Sequence, residues 1–359
     1  MRLAIVALSI GYLAISPSGL QAQVELVVGV RGETMPFSSL VTPDLEGRLT
    51  EDSKPNADGL VYSGYMASLC ASVISEMRKS FDFSVRWQEV EAVHRFSELS
   101  SGNINILCDP ATITRARLEV DTVLVSPPVY LSGVGRAYYD GRLWPGHWPC
   151  VGPLVGVVRG TTATRSVISI AEQFGFDETF TPIVSAYPIV DEVTLTVEDR
   201  AKIERCFSAM QDSEDVDIGL LAEYADPNNI QPDRALVVRS YANHQEMARA
   251  LCSGEIYFSV GDLEIIASAI SSVQSQGFNC PVKIDPEVFS EERYGVFVSI
   301  SDGFNEVDRL TLAFLRQLSI EIHKGSDSIL VRSFVDFFDR DRISQSLDLF
   351  YWSLVSGSD

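Results

Sequence analysis

Short β-rich runs alternate with helix-periodic segments along this chain, and no other feature constrains its fold as much. Val24–Val30 is an apolar run that reads as a buried strand, ended by Arg31-Gly32 and a Met35-Pro36-Phe37 turn. From Gly64 onward, Tyr65, Met66, Leu69, Cys70, Val73, Ile74 and Met77 recur at helical spacing. Phe81–Trp87 alternates and predicts a second strand. Ala92–Leu99 predicts a short helix closed by Gly102, and Ile104–Leu107 a third strand. The order β-α-β-α-β predicts an α/β layer fold with a largely parallel sheet. Ligands of such sheets sit at the carboxyl ends of the strands. That makes Arg31–Phe37 and Cys108–Arg117 the loops to watch.

The later chain continues the pattern after a long polar loop over Leu40–Gly59. Strands are predicted at Tyr130–Tyr139, Leu154–Val158, Thr181–Val190, Ala235–Val238, Ile256–Val260 and Tyr294–Ile300. Helices are predicted at Ala163–Phe174, Val197–Met210, Gln245–Leu251, Glu306–Ile322 and Ile329–Phe338, with an amphipathic Leu347–Leu354 segment near the end. The 359 residues exceed what one core usually supports, so two domains are expected. No low-complexity linker separates them, so they are expected to pack together.

The first residues bear on the compartment. Arg2 precedes an apolar run, Leu3–Ile15, and then Pro17, Ser18 and Gly19. The run is too short to span a bilayer and has the layout of a secretory signal peptide, residues 1–22, cleaved after Ala22. The alternative is a buried N-terminal helix. No Cys follows the run, which argues against a lipid anchor, so the expected location is the periplasm. Six cysteines, at 70, 108, 150, 206, 252 and 280, suggest disulfides in an oxidising compartment. Their spacing fits no zinc motif; fifteen pairings are possible, with Cys252–Cys280 favoured. A net charge of −21 argues against nucleic acid as a partner and suits an exported soluble protein.

Three segments offer ligand chemistry. Asp109–Arg117 follows a buried strand and presents Thr112, Thr114, Arg115 and Arg117 where a sheet presents ligands. An arginine fork matches the two oxygens of a carboxylate. The bland alternative is a helix start with a threonine cap and surface arginines. Gly160-Thr161-Thr162 ends a strand at the mouth of a helix, where backbone N–H groups suit an anion, or where the threonines merely cap. Asp262 ends a strand and can pair with an ammonium group or cap the following helix. There is no GxSxG, HExxH, Walker loop or GxGxxG. The four histidines (94, 147, 244 and 323) are scattered and read as surface or structural. No metal, cofactor or catalytic residue is expected.

In chain order, these segments resemble the family 3 periplasmic solute-binding proteins of ABC importers, which share their fold with the ligand-binding domain of ionotropic glutamate receptors. VGVRGETMPF resembles the opening strand and turn, and GYMASLCASVI the first helix. HRFSELSSGNINILC, TITRAR, VSPPVYLSG, VGVVRGTT and ARALCSGEIYFSVGD follow in family order. The resemblance implies a type II periplasmic-binding-protein fold: two α/β lobes, two crossover strands near Gly133 and Gly295, and a ligand cleft between. Lobe 1 would combine 24–132 with 296–359, and lobe 2 would be 133–295, enlarged by an insertion around 175–235. It implies that Arg117 and Thr112 hold the carboxylate of an amino acid, with Thr162 and Thr161 facing them from lobe 2. Asp262 would hold the amino group. Arg31 and Thr34 depart from the family pattern, as do Ala92 and Asn105. Arg31 would either take a second ligand carboxylate or lie solvated at the surface.

The implied function is binding of a small solute, an amino acid or related acid, by a monomer that closes on it and delivers it to an importer permease. Two alternatives stay open. One is a sensor or accessory protein for a periplasmic partner. The other is a dehydratase-like enzyme with Asp262 or Glu33 as general acid.

Overall fold

The computed structural model describes residues 23–41, 61–140, 154–163, 166–167, 189–191, 236–338 and 345–356. The first sheet is built on β1 (Glu25–Val30), whose residues after Glu25 are all buried. β5 (Ser84–Glu89) and β6 (Ile106–Leu107) flank β1 in parallel. β15 (Phe297–Ser299) extends the sheet beyond β6 as an antiparallel strand, and β7 (Val123–Val125), antiparallel to β15, runs again in the direction of β6, giving the order β5-β1-β6-β15-β7. The short strands β2 (Glu33–Thr34), β3 (Ser38–Val41) and β4 (Val61–Ser63) form a separate three-stranded sheet.

α1 (Tyr65–Met77) covers the first sheet with a face of Tyr65, Met66, Leu69, Cys70, Val73, Ile74 and Met77. That spacing puts one apolar stripe against the core, and each such side chain contributes roughly 1.5–3 kcal/mol when fully buried. α1 starts at Gly64, whose φ is 120°. A Cβ there would lie 2.5 Å from the Phe37 carbonyl oxygen, so only glycine fits. α6 (Glu306–Ile322), opened by a capping box of Asn305 and Asp308, and α7 (Ile329–Phe337) pack on α1. α2 (Arg95–Ser100) and α3 (Arg115–Leu118) are short helices at the carboxyl-end side of the sheet.

The second sheet has the order β10-β11-β9-β12-β8-β13, with β14 also on β8. β10 (Ile189–Asp191), β11 (Leu236–Tyr241), β9 (Leu154–Val158) and β12 (Phe258–Asp262) run parallel. β8 (Tyr130–Tyr139), β13 (Val282–Ile284) and β14 (Ser290–Tyr294) are antiparallel to their neighbours. α4 (His244–Cys252) and α5 (Leu263–Ser275) pack on this sheet and on each other. α8 (Gln345–Ser356) ends the described chain. The two sheets with their helices are two lobes, each with its own apolar core.

β8 carries the chain into the second lobe, and β14, paired with it so that Tyr130 faces Tyr294, carries it back. The expected single strand Tyr294–Ile300 is therefore two. β14 ends at Tyr294 in one sheet and β15 begins at Phe297 in the other, with Gly295 and Val296 making the passage. Each sheet is largely parallel, as expected, and carries one reversed strand, β15 in the first and β8 in the second, both belonging to the passages between lobes. The second strand starts at Ser84, not Phe81, since pairing with Glu25 sets its register.

Two disulfides are present among the described residues. Cys70–Cys108 ties α1 to the end of β6, and Cys252–Cys280, the pairing favoured from sequence, ties the end of α4 to the segment after α5. The expected signal segment, the chain from 42 to 60, Cys150, Cys206, His147, the predicted helix Val197–Met210 and most of the expected 175–235 insertion lie outside the described residues.

Candidate functional site

β1 and β6 are parallel neighbours, with Val28 opposite Ile106 and Gly29 opposite Leu107, so their carboxyl ends bring Arg31 and Asp109 together. Arg31 Nε donates to Asp109 Oδ1 at 2.8 Å. Arg95, at the start of α2, donates from Nη1 to Asp109 Oδ2 at 2.6 Å. One carboxylate thus sits between two guanidiniums, and all three side chains are essentially inaccessible to water. Of the two readings of Arg31, the solvated surface arginine is excluded. Burial pulls its guanidinium pKa down, but Asp109 and Glu33 outweigh that and hold it above the ordinary value. Arg95 is held below it by burial and by the charge of Arg31. Nη1 of Arg31 and Nε of Arg95 are buried without hydrogen-bond partners. Thr34 is fully buried, and its hydroxyl bonds to Ser38 within the turn.

Thr112 follows β6 by a short loop and bridges to Tyr294 of β14. Thr114 caps α3 by accepting from Arg117 N. That places Arg117 in the first turn, with Nη1 donating to the Thr112 carbonyl at 2.6 Å and the guanidinium 4.1 Å from the Phe96 ring centre.

The second lobe meets these groups at the end of β9. Gly160, with φ 75°, turns the chain. Its carbonyl accepts from Arg95 Nη2 at 3.3 Å, across the cleft. Thr161 bonds back to the Val158 carbonyl, while the Thr162 hydroxyl lies 3.3 Å from that of Thr112. Both hydroxyls also donate to Glu292 Oε2, Thr162 at 2.6 Å. α4 approaches β2 from the same side. The lobes are therefore in contact: this is the closed form of the cleft.

Asp262 occupies the cap position of α5 but makes no side-chain cap bond. It is buried, and Oδ1 has no partner. Burial, then the charge of Glu292, push its carboxyl up to about 7. His244, buried at the start of α4, is held well below the ordinary histidine range by burial and by Arg31 and Arg95. Burial also raises the carboxyls of Glu33 and Glu264.

A cavity of about 480 Å³ opens where the lobes meet, lined by Phe96, Thr114, Arg117, Gly160, Thr161 and Thr162 among others. The structure thus brings Arg117, Thr161 and Thr162 to one cavity, with Thr112 touching Thr162 at its edge. Arg31, Asp262 and Thr34 do not line it. Sequence reasoning missed Arg95, Phe96, Asp109 and Glu292 as members of the site. Glu292 had a signal: in SEERY, residues two apart share a face, and Tyr294 faces inward, so Glu292 must as well. Buried arginine leaves no local signature.

No protein-family model and no curated protein matches the sequence. Solved structures do match. An ancestral arginine-binding protein bound to arginine superposes with a TM-score of 0.52 at 18% identity, over 88% of this chain and 99% of that one. The substrate binding protein of an amino acid ABC transporter gives 0.53 at 11%, over 88% and 99%. An ABC uptake transporter substrate binding protein from Streptococcus pneumoniae with bound histidine gives 0.51 at 13%, over 89% and 95%. These likenesses show the fold, the two-lobed α/β architecture of type II periplasmic binding proteins.

Proposed function

We propose that this protein binds a small amino-acid-like solute between its lobes, outside the cytoplasm, and presents the closed form to a membrane transporter. The cavity at Arg117 carries the reading. Its volume of about 480 Å³ falls within the range of about 300–1,000 Å³ usual for small-molecule sites. It offers a guanidinium, the hydroxyls of Thr114, Thr161 and Thr162, and an aromatic wall from Phe96. Those groups suit a carboxylate on a short organic body. The neighbours described as amino-acid- or substrate-binding proteins of ABC transporters support the same class of ligand and partner. The apolar leader at residues 3–15 supports export, and among the described residues no helix is long and apolar enough to cross a membrane.

Contacts made from both lobes stabilise closure only by what the solute gains in the closed form over the open one. Arg117 and Thr114 lie on one side of the cavity and Thr161 and Thr162 on the other, so a solute bound there bridges the two. Action as a monomer is part of this reading, since both halves of the clamp belong to one chain.

A second reading is acid-assisted elimination on the same fold. Asp262, buried and titrating at about 7, favours it. A neighbour described as a precursor of cyclohexadienyl dehydratase, itself an ancestral amino-acid-binding protein, shares the fold at TM-score 0.50 and 15% identity.

A thermal-shift screen of amino acids and related acids on the leaderless protein tests both readings, because a bound solute raises the melting temperature by mass action. A shift with one or more amino acids is expected, and its loss in Arg117→Ala. An unshifted panel, or an Arg117→Ala variant that responds as the parent does, refutes the binding reading. Consumption of a cyclohexadienyl acid by the same samples would favour elimination.

A further inference from the structure

The closed cleft holds more buried acid than buried base. Among the described residues, Asp109, Asp262 and Glu292 are buried there with Arg31 and Arg95. Asp109 is bonded to both guanidiniums. Among the described residues, Glu292 accepts from two neutral hydroxyls, those of Thr112 and Thr162, and one oxygen of Asp262 has no hydrogen-bond partner. Half-buried Glu264, bonded to Ser132 and Tyr130, adds a third carboxylate at the start of α5. Hydroxyl donors hold such groups in place without cancelling their charge.

β8 runs between Asp262 and Glu292. Glu292 stands opposite Ser132, and Asp262 opposite Val134. Ser132 and Val134 are two residues apart, so both acids rise from one face of the sheet. Tyr294, Glu264 and Arg31 are the other groups whose charge or hydrogen bonding acts on Asp262. The mutual repulsion of the two acids, added to burial, keeps the Asp262 carboxyl near neutrality. A cation placed between them relieves that repulsion, and a second solute carboxylate increases it. Arg31 and Arg95 share the single carboxylate of Asp109, which cancels one of their two charges, and the remaining cation is set against three carboxylates, Asp262, Glu292 and Glu264.

We propose that Glu292 is the specificity-determining residue of this cleft: standing between the Thr112 and Thr162 hydroxyls on the same sheet face as Asp262, it selects a solute with more cationic groups than carboxylates, of the diamino- or guanidino-acid class. The proposal rests on the amino-acid reading above. Arg117 keeps the solute's carboxylate at the cavity, while the seat between the two threonines is already filled by the chain's own carboxylate.

The test is titration calorimetry of the leaderless protein at neutral pH with arginine, lysine, ornithine, glutamine, glutamate and aspartate. At least one of the three cationic acids is expected to bind about tenfold or more tightly than glutamate. Glu292→Gln keeps the shape and removes the charge, and it is expected to narrow that ratio to about threefold or less by weakening the cationic solutes. Glutamate or aspartate binding as tightly as the cationic acids overturns the proposal and leaves the amino-acid reading standing. So does an unchanged ranking in Glu292→Gln. Binding of none of the six removes both. The ranking measured on the unmodified protein decides the matter if Glu292→Gln does not fold.

Discussion

Asp262 sits where a helix cap belongs and caps nothing. Its position at the end of β12 puts it in the closed cleft, and burial with a neighbouring acid sets its chemistry. Its carboxyl rises from 3.8 to about 7 on folding. Between those values the folded chain holds a proton that the unfolded chain has lost. Stability is therefore fully present below about pH 4 and falls as pH rises toward 7, by at most about 4 kcal/mol. Asp262→Asn is expected to match the parent's melting temperature near pH 4 and to exceed it increasingly up to pH 7. Parallel pH profiles would count against a charge-driven effect. The acid at 262 was legible from its place after an apolar run. That it makes no cap bond was not, since that depends on what packs around it.

At the level of strands and helices, local pattern carried far. The bounds of β8, β9 and α6 are those read from the residues, because their periodicity and caps are local properties. The passage from β14 to β15 was misread as one strand, since apolar continuity does not say that a chain is changing sheets. The turn after β9 has a long-range constraint of the same kind. A Cβ on Gly160 would lie 2.5 Å from the Ala92 carbonyl oxygen in the other lobe, and its φ of 75° already disfavours a side chain. Gly160→Ala is expected to hold the lobes apart, raising the radius of gyration in small-angle scattering and weakening solute binding. Unaltered scattering would mean that this contact does not limit closure.

For the whole molecule, the two disulfides among the described residues act within lobes and not between them. Cys70–Cys108 closes a 38-residue separation in the first lobe and Cys252–Cys280 one of 28 in the second. Chain entropy assigns about 3–4 kcal/mol to loops of that length. Cys252→Ser with Cys280→Ser is expected to lower the melting temperature while leaving the closed-form scattering profile intact. A lost profile would show that the bond also governs lobe contact. The alternation of strands and helices, the caps and the paired Gly-Thr-Thr and Thr-x-Thr segments were all written in neighbouring residues, because backbone propensity and side-chain periodicity act over a few positions. The pairing of Glu292 with Thr112 and Thr162 was not, since it joins groups 180 and 130 residues apart. The same holds for Asp109 between Arg31 and Arg95, drawn from the ends of two strands and a helix. Such contacts form when elements distant in sequence pack together and exclude water, within a lobe for Asp109 and between lobes for Thr112 with Glu292. Charge balance in the cleft follows from that burial, and no stretch of sequence contains it.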